Sequence, residues 1–173
     1  MGNFKEDLAK IKAFAFDCDG VMTDSTVEMN SEGQLIRKFN AKDGYAIVKA
    51  MKVGYPVAIV SGGHGEIMEK RFKTLGVTDI YQSCTFKIEA IDDFRFKYGI
   101  EREEILFMGD DMPDIESMLN VGLGVAPADA VIDVKAVARH VSEYAGGKGC
   151  VRDVIEQVLK AQGKWNEMSH NCQ

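Results

Sequence analysis

The chain has 173 residues, enough for one domain with its own core, and its 46% hydrophobic and 28% charged residues exclude a disordered or fibrous protein. Twenty-one basic against 27 acidic residues leave a net charge of −6, which argues against broad contact with nucleic acid or an anionic membrane. No apolar run reaches membrane-spanning length and the acidic N-terminus is no signal peptide, so a cytoplasmic protein is expected.

In chain order, the apolar run from Ile11 to Phe16 predicts a buried strand that ends in Asp17-Cys-Asp-Gly20. Strand alternation would put Asp17 and Asp19 on one side and Cys18 on the other. Thr26 to Met29 and Gln34 to Phe39, separated by Asn30-Ser-Glu-Gly33, predict a β-hairpin spanning about residues 24–40. Asn40, Ala41, Lys42, Asp43 and Gly44 read as a polar loop, followed by a helix from Tyr45 to Val53 that Gly54-Tyr-Pro56 breaks. Val57 to Val60 is a second strand ending at Ser61-Gly-Gly63, and Glu66 to Leu75 fits a helix closed by Gly76. A third strand, Asp79 to Gln82, leads to a helix from Lys87 to Tyr98.

Strand Ile105 to Met108 runs straight into Gly109-Asp-Asp-Met-Pro-Asp114, with Pro113 suited to the first turn of a helix. A strand at Leu123 to Ala126, a short helix at Val131 to Ala136 and a last strand at His140 to Ser142 follow. Gly146-Gly-Lys-Gly149 precedes a final helix, Val151 to Ala161, and residues 162–173 read as a mobile polar tail. Strands alternating with helices in this way describe a single α/β domain over residues 1–173, a Rossmann-like, doubly wound parallel sheet with a hairpin insertion after its first strand. In such folds ligands sit beyond the carboxyl ends of the strands, where here Asp17 and Asp19, Ser61, and Asp110 and Asp111 all fall.

Those carboxylates repel, each pair about 4 Å apart by roughly 4 kcal/mol at an effective dielectric near 20, so a positive group must join them. A magnesium ion bridging carboxylates and a phosphate fits, with Lys87 adding charge. Asp17 is then placed to attack phosphorus, Asp19 to move protons, and Ser61 to hydrogen-bond the phosphoryl group, aided by the positive end of the next helix. The chemistry is a two-step hydrolysis of a phosphate monoester.

Asp17-Cys-Asp-Gly-Val, Ser61, Lys87 and Gly109-Asp-Asp-Met-Pro-Asp114, in this order, resemble the four motifs of the haloacid dehalogenase superfamily. The resemblance implies magnesium held by Asp17, by the backbone carbonyl of Asp19 and by Asp110. The intervals between motifs leave no room for the cap domains that many members carry. Phe39-Asn-Ala-Lys-Asp-Gly-Tyr45, Arg71 to Gly76, Gly146-Gly-Lys-Gly-Cys-Val-Arg152 and Ala161-Gln-Gly-Lys164 are similar to the capless 3-deoxy-D-manno-octulosonate 8-phosphate phosphatases. That family implies a sugar-acid phosphate as substrate, contacts to it from residues 40–44, Arg71 and Lys87, and a homotetramer built through the hairpins. Its glycine-rich segment, with Lys148 and Arg152, would reach a neighbour's site.

Members commonly have an arginine after the Ser-Gly of the second motif, where this chain has Gly63, and another where it has Val48. A nine-carbon acid such as 2-keto-3-deoxynononate 9-phosphate is therefore a rival substrate. A receiver-type signalling module also combines aspartates, a hydroxyl and a lysine on a parallel sheet, but it lacks an acid two residues after the phosphorylated one. Cys18, Cys84, Cys150 and Cys172 show no metal spacing, and His64, His140 and His170 are too scattered for a zinc set.

Overall fold

The computed structural model describes residues 4–166, and the elements run α1 (Phe4–Lys10), β1 (Ala13–Phe16), β2 (Glu28–Met29), β3 (Leu35–Ile36), α2 (Ala41–Lys52), β4 (Val57–Val60) and α3 (Glu66–Thr74). They continue with β5 (Asp79–Tyr81), α4 (Lys87–Tyr98), β6 (Ile105–Met108), α5 (Ile115–Leu119), β7 (Leu123–Ala126), α6 (Ile132–Val137), β8 (His140–Val141) and α7 (Cys150–Ala161). The main sheet has the order β5-β4-β1-β6-β7-β8, with every pairing parallel, while β2 and β3 form a separate antiparallel hairpin.

Strand side chains alternate between two cores. Phe14, Phe16, Val57, Ile59, Leu106 and Met108 pack under α1, α2, α3 and α7. Ala13, Ala15, Ala58, Val60, Ile105 and Phe107 face α4, α5 and α6. A sheet covered on both faces needs apolar residues at every position, which is why these strands are continuous hydrophobic runs in the sequence. The chain winds from β1 toward β4 and β5, then crosses back to β6. Beyond the carboxyl ends of β4, β1 and β6 the connections therefore part, and a crevice opens there.

Several expectations need correction. The strand ends at Phe16, and Cys18 to Met22 wind into a tight turn closed by Thr23 N donating to Cys18 O at 3.1 Å. Asp17 and Asp19 therefore lie on a turn, where strand alternation does not govern their directions. Asn40 to Gly44 is no loop. Asn40 accepts from Lys42 N at 2.8 Å as the N-cap of α2, so the polar run is the first turn of a helix. Helix α1 was not anticipated; it holds Leu8 buried and Phe4 partly so against the core. The hairpin strands, two residues each, are shorter than the runs Thr26 to Met29 and Gln34 to Phe39.

The beginning of the expected tail is tied down. Gln162 donates to Leu8 O at 2.9 Å and Ile11 O at 2.7 Å, and Trp165 packs on the core. The rest of that segment, residues 167–173, lies outside the described residues, as do His170 and Cys172. Among the described residues no helix is long and apolar enough to cross a membrane.

Candidate active site

The turn after β1 carries the first acids. Gly20 takes φ +96°, and a Cβ there would overlap the Asp110 carboxylate, so only glycine lets this turn approach the loop after β6. Asp17 N donates to Met108 O at 3.0 Å, fastening the two loops together. Asp17 Oδ1 accepts from Cys18 N at 2.7 Å and from Lys87 Nζ at 2.9 Å.

Lys87, the first residue of α4, is 6% exposed and also reaches Asp114 Oδ1 at 2.6 Å. Asp114 Oδ2 in turn accepts from Asp110 N at 3.0 Å and Asp111 N at 3.2 Å. Both oxygens of Asp114 are thus committed to holding the site. Burial, with Asp114 beside it, pushes the Asp17 carboxyl up to about 8 against the pull of Lys87. Burial, reinforced by Asp114, raises Asp110 to about 7. Asp17 and Asp114 hold Lys87 above its ordinary value although burial opposes them.

Asp17, Asp110 and Asp114 each offer a carboxylate oxygen within 4.8 Å of the others. Asp110 Oδ1 is buried and has no hydrogen-bond partner. An orphaned carboxylate oxygen beside a second buried acid costs free energy unless a cation joins it, and all-oxygen donors suit a hard divalent ion. The residues present therefore fit a magnesium-type ion. With both oxygens of Asp114 engaged, Asp17 and Asp110 are the carboxylates that could hold it.

These side chains line a cleft of about 450 Å³ together with Asp19, Ser25, Ser61, Gly62, Gly63, Cys84 and Thr85. Ser61, 1% exposed, accepts from Gly63 N at 3.1 Å through Oγ, which leaves its O–H to donate. Helix α3 starts only at Glu66, so the amides beside Ser61 are those of the glycine loop and not of a helix end. Asp19 is held by Arg37, which leaves β3 and donates through Nε to Oδ1 at 2.8 Å and through Nη2 to Oδ2 at 3.0 Å. Sequence reasoning missed Arg37, since nothing in a basic residue at the end of a hairpin announces its partner.

The residues linked to substrate by resemblance distribute differently. Of them, Lys87 lines the cleft. Asn40 donates through Nδ2 to Gly147 O at 3.2 Å, joining α2 to the glycine-rich segment. Ala41 and Lys42 are exposed on the first turn of α2. Asp43 is fully buried and accepts from Arg152 N at 2.8 Å, so it caps α7 and is closed to any substrate in this arrangement. Gly44 makes room for Arg71, whose Nη2 lies 2.8 Å from where a Cβ would stand.

Lys148 Nζ sits 3.4 Å from Asp24, and the Arg152 guanidinium reaches Glu156 and stacks over the Tyr45 and Trp165 rings. With Lys42 both line a separate hollow of about 400 Å³. Burial pushes the Cys18 and Cys150 thiols well up, which disfavours the thiolate at both. His64 is exposed and does not line the cleft.

Known proteins share this fold and much of this sequence. Residues 72–154 match the haloacid dehalogenase-like hydrolase family. The chain is 39% identical over 157 residues to the 3-deoxy-D-manno-octulosonate 8-phosphate phosphatase KdsC of Escherichia coli strain K12, covering 91% of this chain and 84% of that one. The crystal structure of the Yersinia pestis phosphatase of that name superposes with a TM-score of 0.92 at 34% identity, over 94% of this chain and 88% of the other. The Moraxella catarrhalis phosphatase, crystallised with a magnesium ion, a phosphate ion and a KDO molecule, gives 0.90 at 31% identity over 94% and 93% of the two chains. Agreement in sequence and backbone over nearly the whole length, with the acids, the serine and the lysine gathered in one cleft, shows that the chain belongs to the 3-deoxy-D-manno-octulosonate 8-phosphate phosphatase family of haloacid dehalogenase-like hydrolases.

Proposed function

We propose that this chain hydrolyses 3-deoxy-D-manno-octulosonate 8-phosphate to the free sugar acid and phosphate, with magnesium and through transient phosphorylation of Asp17. The observation that carries the reading is one buried lysine bridging Asp17 and Asp114 beside an unpartnered Asp110 oxygen, in a cleft that also holds Asp19 and Ser61. The relatives named for this activity, and the one crystallised with magnesium, phosphate and KDO, support the substrate and the ion.

Asp17, Asp110 and the backbone carbonyl of Asp19 would hold the magnesium, which when bound offsets carboxylate charge and polarises a phosphoryl oxygen. The Asp17 carboxylate attacks phosphorus and the bond to the ester oxygen breaks, Asp19 in its protonated form giving that oxygen a proton. Lys87 and the Ser61 hydroxyl steady the equatorial oxygens as charge shifts onto them. Asp19 then takes a proton from water as the water attacks phosphorus. Phosphate leaves and the Asp17 carboxylate is restored.

The homotetramer and the cytoplasmic location implied by the family belong to the same reading. Val27 and Met29 on the hairpin, 67% and 64% exposed, support an interface there, which light scattering would detect. The deciding experiment is phosphate release from the eight-carbon and nine-carbon acid phosphates with magnesium. The eight-carbon ester should react at least about tenfold faster, since one carbon in a fitted site is worth about that much. Equal or reversed rates would remove the preference for the eight-carbon acid, and Asp17→Asn should abolish release while the protein still folds.

A further inference from the structure

Within the cleft, Asp17 owes its setting to the scaffold, whereas Asp19 owes its setting to one side chain. Arg37 lies just past β3 and reaches Asp19 with two parallel hydrogen bonds, 2.8 and 3.0 Å long. The guanidinium is buried, its side chain 6% exposed, while Asp19 is 39% exposed toward the cleft. Such a fork matches the plane of a carboxylate and leaves it one orientation, which a single-point contact would not do.

The slot for the fork is made by the loop after β4. A Cβ on Gly63 would come within 3.1 Å of both Arg37 Nη2 and Asp19 Oδ2, and one on Gly65 within 3.4 Å of Arg37 Nη1. Gly63 N is itself pinned to Ser61 Oγ at 3.1 Å. The loop carrying Ser61 thus packs directly on the pair, and a side chain at position 63 would press on it. Lys87, which lines the cleft, is occupied by Asp17 and Asp114. A half-exposed ion pair contributes only about 0–1 kcal/mol to stability, so folding alone gives little reason to build this slot.

We propose that Arg37 is the positioning residue for Asp19, fixing from the hairpin the direction of the carboxylate that moves protons at the ester oxygen. The inference rests on the phosphatase reading only in requiring that Asp19 take part in turnover. A carboxylate displaced by about 1 Å from its working position costs on the order of 10²-fold in rate.

The test is steady-state hydrolysis of 4-nitrophenyl phosphate and of the eight-carbon sugar-acid phosphate, with magnesium, by the wild type, R37M, R37K, D19N and the D19N/R37M double variant. R37M should lower kcat about 10- to 100-fold with KM changed less than about twofold. R37K, which keeps the charge but offers no fork, should recover part of the loss. The double variant should be no slower than D19N, because a residue acting only through Asp19 has nothing further to lose.

A raised KM at unchanged kcat would overturn the proposal by making Arg37 a substrate contact. Losses that multiply in the double variant would also overturn it, as would D19N turning over at the wild-type rate. If R37M does not fold, a lowered kcat for R37K at wild-type Tm supports the proposal, and an unchanged kcat opposes it. Wild-type turnover of the aryl ester but not of the sugar-acid ester would remove the proposed substrate while leaving the same comparison to be read on the aryl ester.

Discussion

Asp17 and Asp19 occupy one turn, two residues apart, yet the fold treats them oppositely. Asp17 is buried and shares Lys87 with Asp114, at 2.9 and 2.6 Å. Asp19 opens to the cleft and is forked by Arg37 from the hairpin. The lysine is the first residue of a helix packed on the sheet, so it cannot withdraw without leaving two acids buried and unpaired. The arginine hangs from a two-stranded hairpin outside the sheet, and its loss leaves Asp19 in water. The environment of Asp17 is thus bound to folding, and that of Asp19 to geometry alone.

The largest expected break in that contrast is Lys87→Met. It leaves the Asp17 and Asp114 carboxyls without their shared cation and should cost about 3–5 kcal/mol in denaturant unfolding, along with all measurable phosphatase activity. Arg37→Met should cost less than about 1 kcal/mol in the same titration. Equal destabilisation by the two substitutions would erase the distinction.

Magnesium sharpens the same contrast, because Asp17 near 8 and Asp110 near 7 lie above the ordinary carboxylate value of 3.8. For groups raised on folding, the associated stability is present below the unfolded value and is lost as pH rises through the folded one. Chelator-treated protein should therefore lose stability as pH rises from about 4 to 8, with no further loss from these groups above that. Magnesium takes the place of those protons, so its stabilisation should be larger at pH 8.5 than at 6. A hundredfold excess over Kd contributes about 2.7 kcal/mol, or about 5–10 °C in Tm. Equal gains at the two pH values would mean that the buried acids do not hold the ion.

Asp43 is a buried acid outside the cleft. Asp43→Ala removes the acceptor at Arg152 N that starts α7 and should cost about 1–2 kcal/mol, whereas Asp43→Asn keeps an acceptor oxygen and should cost less. Urea unfolding of the two variants would order them. The smallest effect belongs to His140, stacked on Phe4 at 4.4 Å with Nε2 buried and unpartnered, where burial lowers the pKa. Its contribution is full above about pH 6.5 and declines as pH falls toward the folded value, because only the unfolded chain takes up the proton. His140→Phe should flatten that part of the stability profile between pH 7 and 5.

The sequence alone determined the sheet and the acids at its edge. Val57 to Val60 and Ile105 to Met108 are strands whose limits the residue pattern marks to the residue, and Lys87 to Tyr98 is a helix as read, because burial on both faces and glycine stops are written in local order. Which acid does what was decided by tertiary structure. Asp114 became the brace for Lys87, Asp43 became a cap buried under α7, and Arg37 found Asp19 across 18 residues of chain. Periodicity records which way a residue faces along its own segment, whereas these assignments depend on distances between segments, set only when the β1 turn, the hairpin and the loop after β6 pack together.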